Sequence, residues 1–200
     1  MTQTPDQLEF ESSAKRLIGR TIRSVEYWDV HSFSDAPREW DYDSWHHAVM
    51  GVELLTDDGP FTITWTSRFH PYGVEVFDAP ISEHLRLGEQ GPEGWSAHHS
   101  SRWAPLLDQP VLDVVTHWEL VGLGPAVRSD GVEVSPAYDV DVPTAIRVDT
   151  AGGTLWFVAG CVMWPDVENV SVMGDEILVV FERDKVLSLG FEDSAFTRIA

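Results

Sequence analysis

Gly51-Val52-Glu53-Leu54-Leu55-Thr56-Asp57-Asp58-Gly59-Pro60-Phe61-Thr62-Ile63-Thr64-Trp65 is the stretch from which the fold can be read. Val52 and Leu54 alternate with Glu53, and Phe61, Ile63 and Trp65 alternate with Thr62 and Thr64. A period of two puts apolar side chains on one face of a strand and polar ones on the other. Between the arms, Asp58-Gly59 supplies residues that tolerate positive φ, so the turn is encoded locally. Pro60 has no N–H for a ladder and fits at the first position of a strand or on an edge. The stretch therefore predicts a β-hairpin.

The same pattern returns 94 positions on, where Ile146 and Val148 stand for Val52 and Leu54, Gly152-Gly153 for Asp58-Gly59, and Leu155 and Phe157 for Phe61 and Ile63. Pro71 matches Pro165 at the same offset. Upstream, Ile22, Val25 and Trp28 are spaced like Leu112, Val115 and Trp118. The expectation is a single domain over 1–200 holding two copies of one unit, 18–88 and 108–190, with 89–107 as linker. The period is too long for a solenoid repeat and suits a duplicated half-domain.

The chain has 200 residues, 43% of them hydrophobic, with nine Trp and nine Phe, which is ample for a folded interior. Thirty-three acidic residues face 13 basic ones, for a formal charge of −20. Such a balance repels phosphates and anionic headgroups, so binding to nucleic acid or membrane is not expected. It favours solubility, and it also steers association with a basic partner. The single cysteine, Cys161, rules out an intrachain disulfide. Met1–Asp6 lacks the basic start and apolar run of a signal peptide, and the apolar run Leu155–Trp164 is about half the roughly 20 residues of a membrane span. A cytoplasmic protein is the expectation.

Thr4-Pro5-Asp6-Gln7 has Thr at an N-cap, Pro at the first helical position and Gln at the third, so a helix should begin here. Phe10, Ala14, Leu17 and Ile18 follow helical spacing, and Gly19 can end the helix. The segment Asp29–His47 reads as a long loop in which Asp35, Glu39, Asp41 and Asp43 alternate with Phe33, Trp40, Tyr42 and Trp45. Long loops with large aromatics either fold back into the core or form contact patches. In the second unit, 119–142 reads as an equivalent acidic loop carrying Asp130, Glu133, Asp139 and Asp141. Val170–Val172 and Ile177–Phe181 read as a hairpin about Gly174-Asp175, and Val186–Leu189 as a final strand.

Catalytic signatures are broken. After Gly122-Leu123-Gly124, Pro125 follows at once and Val127 replaces the third glycine of a dinucleotide loop. In Gly94-Trp95-Ser96-Ala97-His98, His98 stands where a nucleophile elbow needs Gly. The pairs His46-His47 and His98-His99 place neighbours on different faces, so neither is a two-ligand metal site by itself. Carboxylates and Trp are available for sugar chemistry, yet no acid pair is singled out. Cys161 reads as a small buried apolar residue.

The expected fold is thus α+β and mostly β: two related antiparallel units sharing a core, an N-terminal helix and one or two short helices. The expected function is non-enzymatic binding and neutralisation of a basic protein partner, most concretely an immunity protein against a cationic toxin. No catalytic residue, metal ligand or cofactor is assigned. The candidate partner-binding residues are Asp35, Glu39, Trp40, Asp41, Tyr42, Asp43, Trp45, Asp130, Glu133, Asp139 and Asp141. The alternative is a small-molecule or carbohydrate binder, including a hydrolase, with a pocket between the halves.

Overall fold

A computed structural model of the chain describes residues 3–29, 39–66, 68–69, 72–84, 93–192 and 194. The capping box forms: Gln7 N donates to Thr4 Oγ1 and Thr4 N donates to Gln7 Oε1 at 3.2 and 2.7 Å, opening α1 (Pro5–Lys15). Its inward face carries Phe10 and Ala14, and Phe10 meets Phe69 and Trp118 edge-on.

The strands are β1 (Ile22–Asp29), β2 (Trp45–Val49), β3 (Gly51–Thr56), β4 (Gly59–Thr66), β5 (Gly73–Phe77), β6 (Glu93–Ser96), β7 (Val111–Leu123), β8 (Ala126–Val127), β9 (Glu133–Ser135), β10 (Tyr138–Thr150), β11 (Gly153–Val162), β12 (Val170–Val172) and β13 (Glu176–Val180). A turn of 3-10 helix covers Ile81–Glu83, and α2 (Arg183–Ser188) follows the last strand. One sheet runs β5-β4-β3-β1-β2-β13-β11-β10-β7, with β12 beside β11 and β6 beside β1. The molecule is mostly β. The sheet curls so that β5 packs across β10 and β4 across β13. Gly73 makes that approach possible, because a Cβ there would strike Pro143 of β10.

Two meanders, β1-β3-β4-β5 and β7-β10-β11-β13, make up most of this sheet. Their central hairpins share a register. Val52 faces Ile63 and Ile146 faces Phe157; Thr56 faces Gly59 and Thr150 faces Gly153. In each turn a threonine hydroxyl donates to the glycine carbonyl, Thr56 to Gly59 at 2.7 Å and Thr150 to Gly153 at 3.0 Å. The first strands of the two meanders pair with a one-residue offset from the expected match. Ile22 lies opposite Thr56 and Val25 opposite Leu54, whereas Val111 and Val114, not Leu112 and Val115, lie opposite Thr150 and Val148. Leu112 points outward and is 58% exposed. The two strand entries also bond each other reciprocally: Gly19 N donates to Val111 O and Asp108 N to Ile22 O, both at 2.8 Å. Pro71 lies outside the described residues.

Four expectations are corrected. Trp45–His47, expected as the end of a loop, belong to β2, a central strand parallel to β1 and antiparallel to β13. Residues 119–142 are not a loop but mainly the far ends of β7 and β10, a long two-stranded ribbon whose tip holds β8 and β9. β12 and β13 both run antiparallel to β11, hence alike in direction, and Gly160 faces Val172 on one side and Glu176 on the other. They cannot form a hairpin; the chain crosses β11 at Gly174, where a Cβ would strike Gly160 and Cys161. Val186–Leu189 lies in and just after α2, where Val186 buries against Trp45 and Val180. Within 89–107, Glu93–Ser96 pairs with β1 as β6.

The core has two layers. Ile177 and Val179 of β13 face the interior between the curled halves, and Leu178 and Val180 face a second cluster with Trp45, Trp156 and Val186. A strand buried on both sides reads as an unbroken apolar run, as in Ile177–Val180.

Candidate functional site

Where β1, β2, β6 and β13 converge, they leave a cleft of about 300 Å³. Asp29 comes from the end of β1, Glu39 and Trp40 from the segment entering β2, and His47 and Val49 from β2. Trp95 comes from β6, Glu176 from the start of β13, and Trp164 from the connection after β11. Three indoles and three carboxylates therefore share one opening. Among the described residues lining it there is no lysine or arginine.

Local structure holds these groups in place. His47 N donates to Trp40 O at 2.8 Å, clamping the entering segment to β2. Glu176 Oε2 lies 3.1 Å from His47 Nε2 and accepts from Val162 N at 2.9 Å. Burial raises the Glu176 pKa, but the His47 ring and the Val162 N–H outweigh it and hold the carboxyl below its ordinary value. Trp164 is 58% exposed at the mouth.

Behind Trp40 lies a buried polar chain. Trp103 Nε1 donates to the Tyr27 hydroxyl at 2.6 Å, and that hydroxyl is 2.8 Å from His46 Nδ1. The Asp41 carboxylate 3.4 Å from Nε2 can only accept, which places the ring proton of His46 on Nε2 and leaves Nδ1 to accept from the Tyr27 hydroxyl. Nε2 is 3.4 Å from both Asp41 Oδ1 and Ser100 Oγ. Burial drives the His46 pKa down to about 4, with Asp41 opposing and Arg102 adding to the fall. Burial likewise puts Tyr27 well above its usual value. The ring is neutral at pH 7, and Trp40 packs edge-on against it at 4.9 Å.

The expected residues within the described part of the chain fall into several groups. Glu39 and Trp40 line the cleft, with exposed Asp41 facing His46 beside it. Asp43 is exposed at φ 65° and pairs with Arg102 at 2.7 Å, while Arg102 also reaches Glu182. Tyr42 stacks on Trp45 at 4.5 Å, and Trp45 itself is wholly buried, with the Lys185 ammonium over its ring. Trp45 is thus a core residue with no surface to offer a partner. Asp130 and Glu133 are exposed near the tip of the β7–β10 ribbon. Asp139 and Asp141 line a separate depression with Thr4, Asp6, Gln7, Arg68 and Phe69, where Gln7 Nε2 donates to Asp141 at 3.0 Å. Described residues of the two acidic segments line separate depressions. Asp35 lies outside the described residues.

The sequence does not single out Trp95, Trp164 and Glu176 as site residues, offers His47 only as a candidate metal ligand, and places Asp29 only within the loop. They come from four separate elements, and no local spacing marks them. Among the described residues no group of three or more His, Cys, Asp or Glu is placed to hold a metal ion. The Ser96 hydroxyl is hydrogen-bonded to His98 Nδ1, but this pair ends a strand and not a strand-to-helix elbow. No helix among the described residues is long and apolar enough to cross a membrane.

Comparison with known families, with curated proteins and with solved structures gave no match. Chemically, indole faces attract cations and carboxylates pair with them, so the cleft is complementary to positive charge.

Proposed function

We propose that this protein is a non-enzymatic, cytoplasmic recognition protein that binds and occupies a basic protein partner. Its most concrete version is an immunity protein covering a cationic toxin. One observation carries the reading: three carboxylates and three tryptophans line a single cleft that has no cationic side chain among its described residues. The formal charge of −20 steers a basic partner in, and half-buried indoles supply anchors once water is expelled. The contact set is Glu39, Trp40, Asp41 and Asp43, together with Asp29 and Trp164.

The test is an affinity pull-down from the source cell at low and then moderate salt, followed by titration of the retained protein against Trp164→Ala. One basic protein held at both salts, with at least tenfold weaker binding to the variant (about 1.4 kcal/mol), supports the reading. Many basic proteins lost together as salt rises would reduce it to charge attraction.

The cleft also favours a second reading, a small-molecule or carbohydrate binder. Its volume lies at the lower bound of roughly 300–1,000 Å³ for ligand pockets, and its indoles can stack on a sugar. Saturable binding of a neutral sugar, unaffected by salt, would favour that reading over the first.

We further read the two meanders as copies of one unit. The shared hairpin register and the reciprocal Gly19–Val111 and Asp108–Ile22 bonds support it.

A further inference from the structure

We propose that the cleft receives one arginine side chain, with its guanidinium against the indoles and its N–H groups on the carboxylates. The inference rests on the basic-partner reading above and names what that partner inserts.

Size limits the occupant first. About 300 Å³ has room for one long side chain and not for an oligosaccharide. Charge limits it next. Asp29, Glu39 and Glu176 contribute three carboxylates, and Glu176 is held ionised beside His47. The Glu39 carboxylate makes no ion pair or side-chain hydrogen bond among the described residues and stands exposed at the rim. Three carboxylates repel an anionic ligand and attract a cationic one over a neutral one.

Donor geometry then separates the cations. A quaternary ammonium suits an aromatic cage but has no N–H for carboxylates, so the acids would be idle. An ammonium is compact and strongly hydrated and loses more on entering a half-buried cleft. A guanidinium is planar, weakly hydrated, stacks on indole and offers five donors in a fork that matches carboxylates. Trp40, Trp95 and Trp164 with the three acids match that combination.

The experiment is a titration of the intact protein, in about 0.15 M salt, with Nα-acetyl-arginine N-methylamide and its lysine and citrulline counterparts, followed by tryptophan fluorescence. Citrulline keeps the shape and removes the charge. The expected result is saturable binding with arginine at least tenfold tighter than citrulline and several-fold tighter than lysine. Glu39→Gln and Trp164→Ala, both at exposed positions, should each weaken arginine binding at least threefold while the far-ultraviolet circular dichroism stays unchanged. Equal binding of arginine and citrulline, or no effect of either substitution, overturns the assignment. A hexa-arginine peptide separates the two levels. If it binds equally to the native protein and both variants, the cleft assignment fails while the basic-partner reading stands on another face. If neither amide nor peptide binds, both fail.

Discussion

The hydroxyl of Tyr27 and Nδ1 of His46 lie 2.8 Å apart with both side chains fully buried. The bond joins β1 to β2 beneath Trp40, so the floor under the entering segment is a neutral hydrogen-bonded chain rather than an ion pair. Protonating His46 would place a second donor against a hydroxyl already committed to donating, and a charge among aromatic rings.

Stability should therefore fall on mild acidification. His46 titrates at about 4 in the folded protein and near 6.5 when unfolded. The unfolded chain takes the proton first. The stability contributed by neutral His46 is whole above pH 6.5, declines as pH drops towards 4, and is lost below that, to a total of about 3 kcal/mol. Urea unfolding at pH 7.5 and 4.5 should show a larger loss in the native protein than in His46→Gln. Parallel losses would refute it.

Tyr27→Phe should cost about 2 kcal/mol or more, because it strands both the Trp103 indole N–H and His46 Nδ1 inside the core. Chemical denaturation measures this, and a cost below about 0.5 kcal/mol would mean the chain contributes nothing to stability.

Trp45 and Trp164 should respond differently to truncation. Trp45→Ala should lose about 3–5 kcal/mol, since the ring is fully buried among Trp156, Leu178 and Val180. Trp164→Ala, at 58% exposure, should change stability by no more than about 0.5 kcal/mol. Thermal melts of the two variants would reveal a reversed order at once.

The paired turns should respond alike to loss of their hydroxyls and unlike to added bulk. Thr56→Ala and Thr150→Ala each remove one donor to a glycine carbonyl and should each cost about 1 kcal/mol. Gly152→Ala should cost more than Gly59→Ala. A Cβ at Gly152 runs into the Pro105 carbonyl, whereas at Gly59 it meets nothing and only the φ of 104° resists it. Equal melting points for the two alanine variants would argue against the close approach of Pro105.

Local signals were legible in the sequence and long-range ones were not. Thr4 and Gln7 announced the helix because a capping box is complete within four residues. Both central hairpins were legible because their turns and alternation lie within fifteen residues. Trp45–His47 was misread because it is buried on both faces, so no alternation marks it and His46-His47 resembles a polar break. The outer part of the β7–β10 ribbon, 119–142, reads as a loop in the sequence because it is largely exposed, and acids there are tolerated on a strand without a second layer. The cleft was half legible. Glu39 and Trp40 stood out as an acid beside an aromatic, but Trp95, Trp164 and Glu176 reach it only through the sheet order.

That order has a consequence for the nascent chain. β2 is made early, yet its main neighbour in the sheet is β13, which follows only at Glu176–Val180. Until the ribosome has passed Val180, the edge of Trp45–Val49 has no lasting cover, and its backbone N–H and C=O groups stand open to any passing strand. A translation product cut short before β13 would hold two finished hairpins and an unsealed seam. It would be a candidate for aggregation rather than for slow completion.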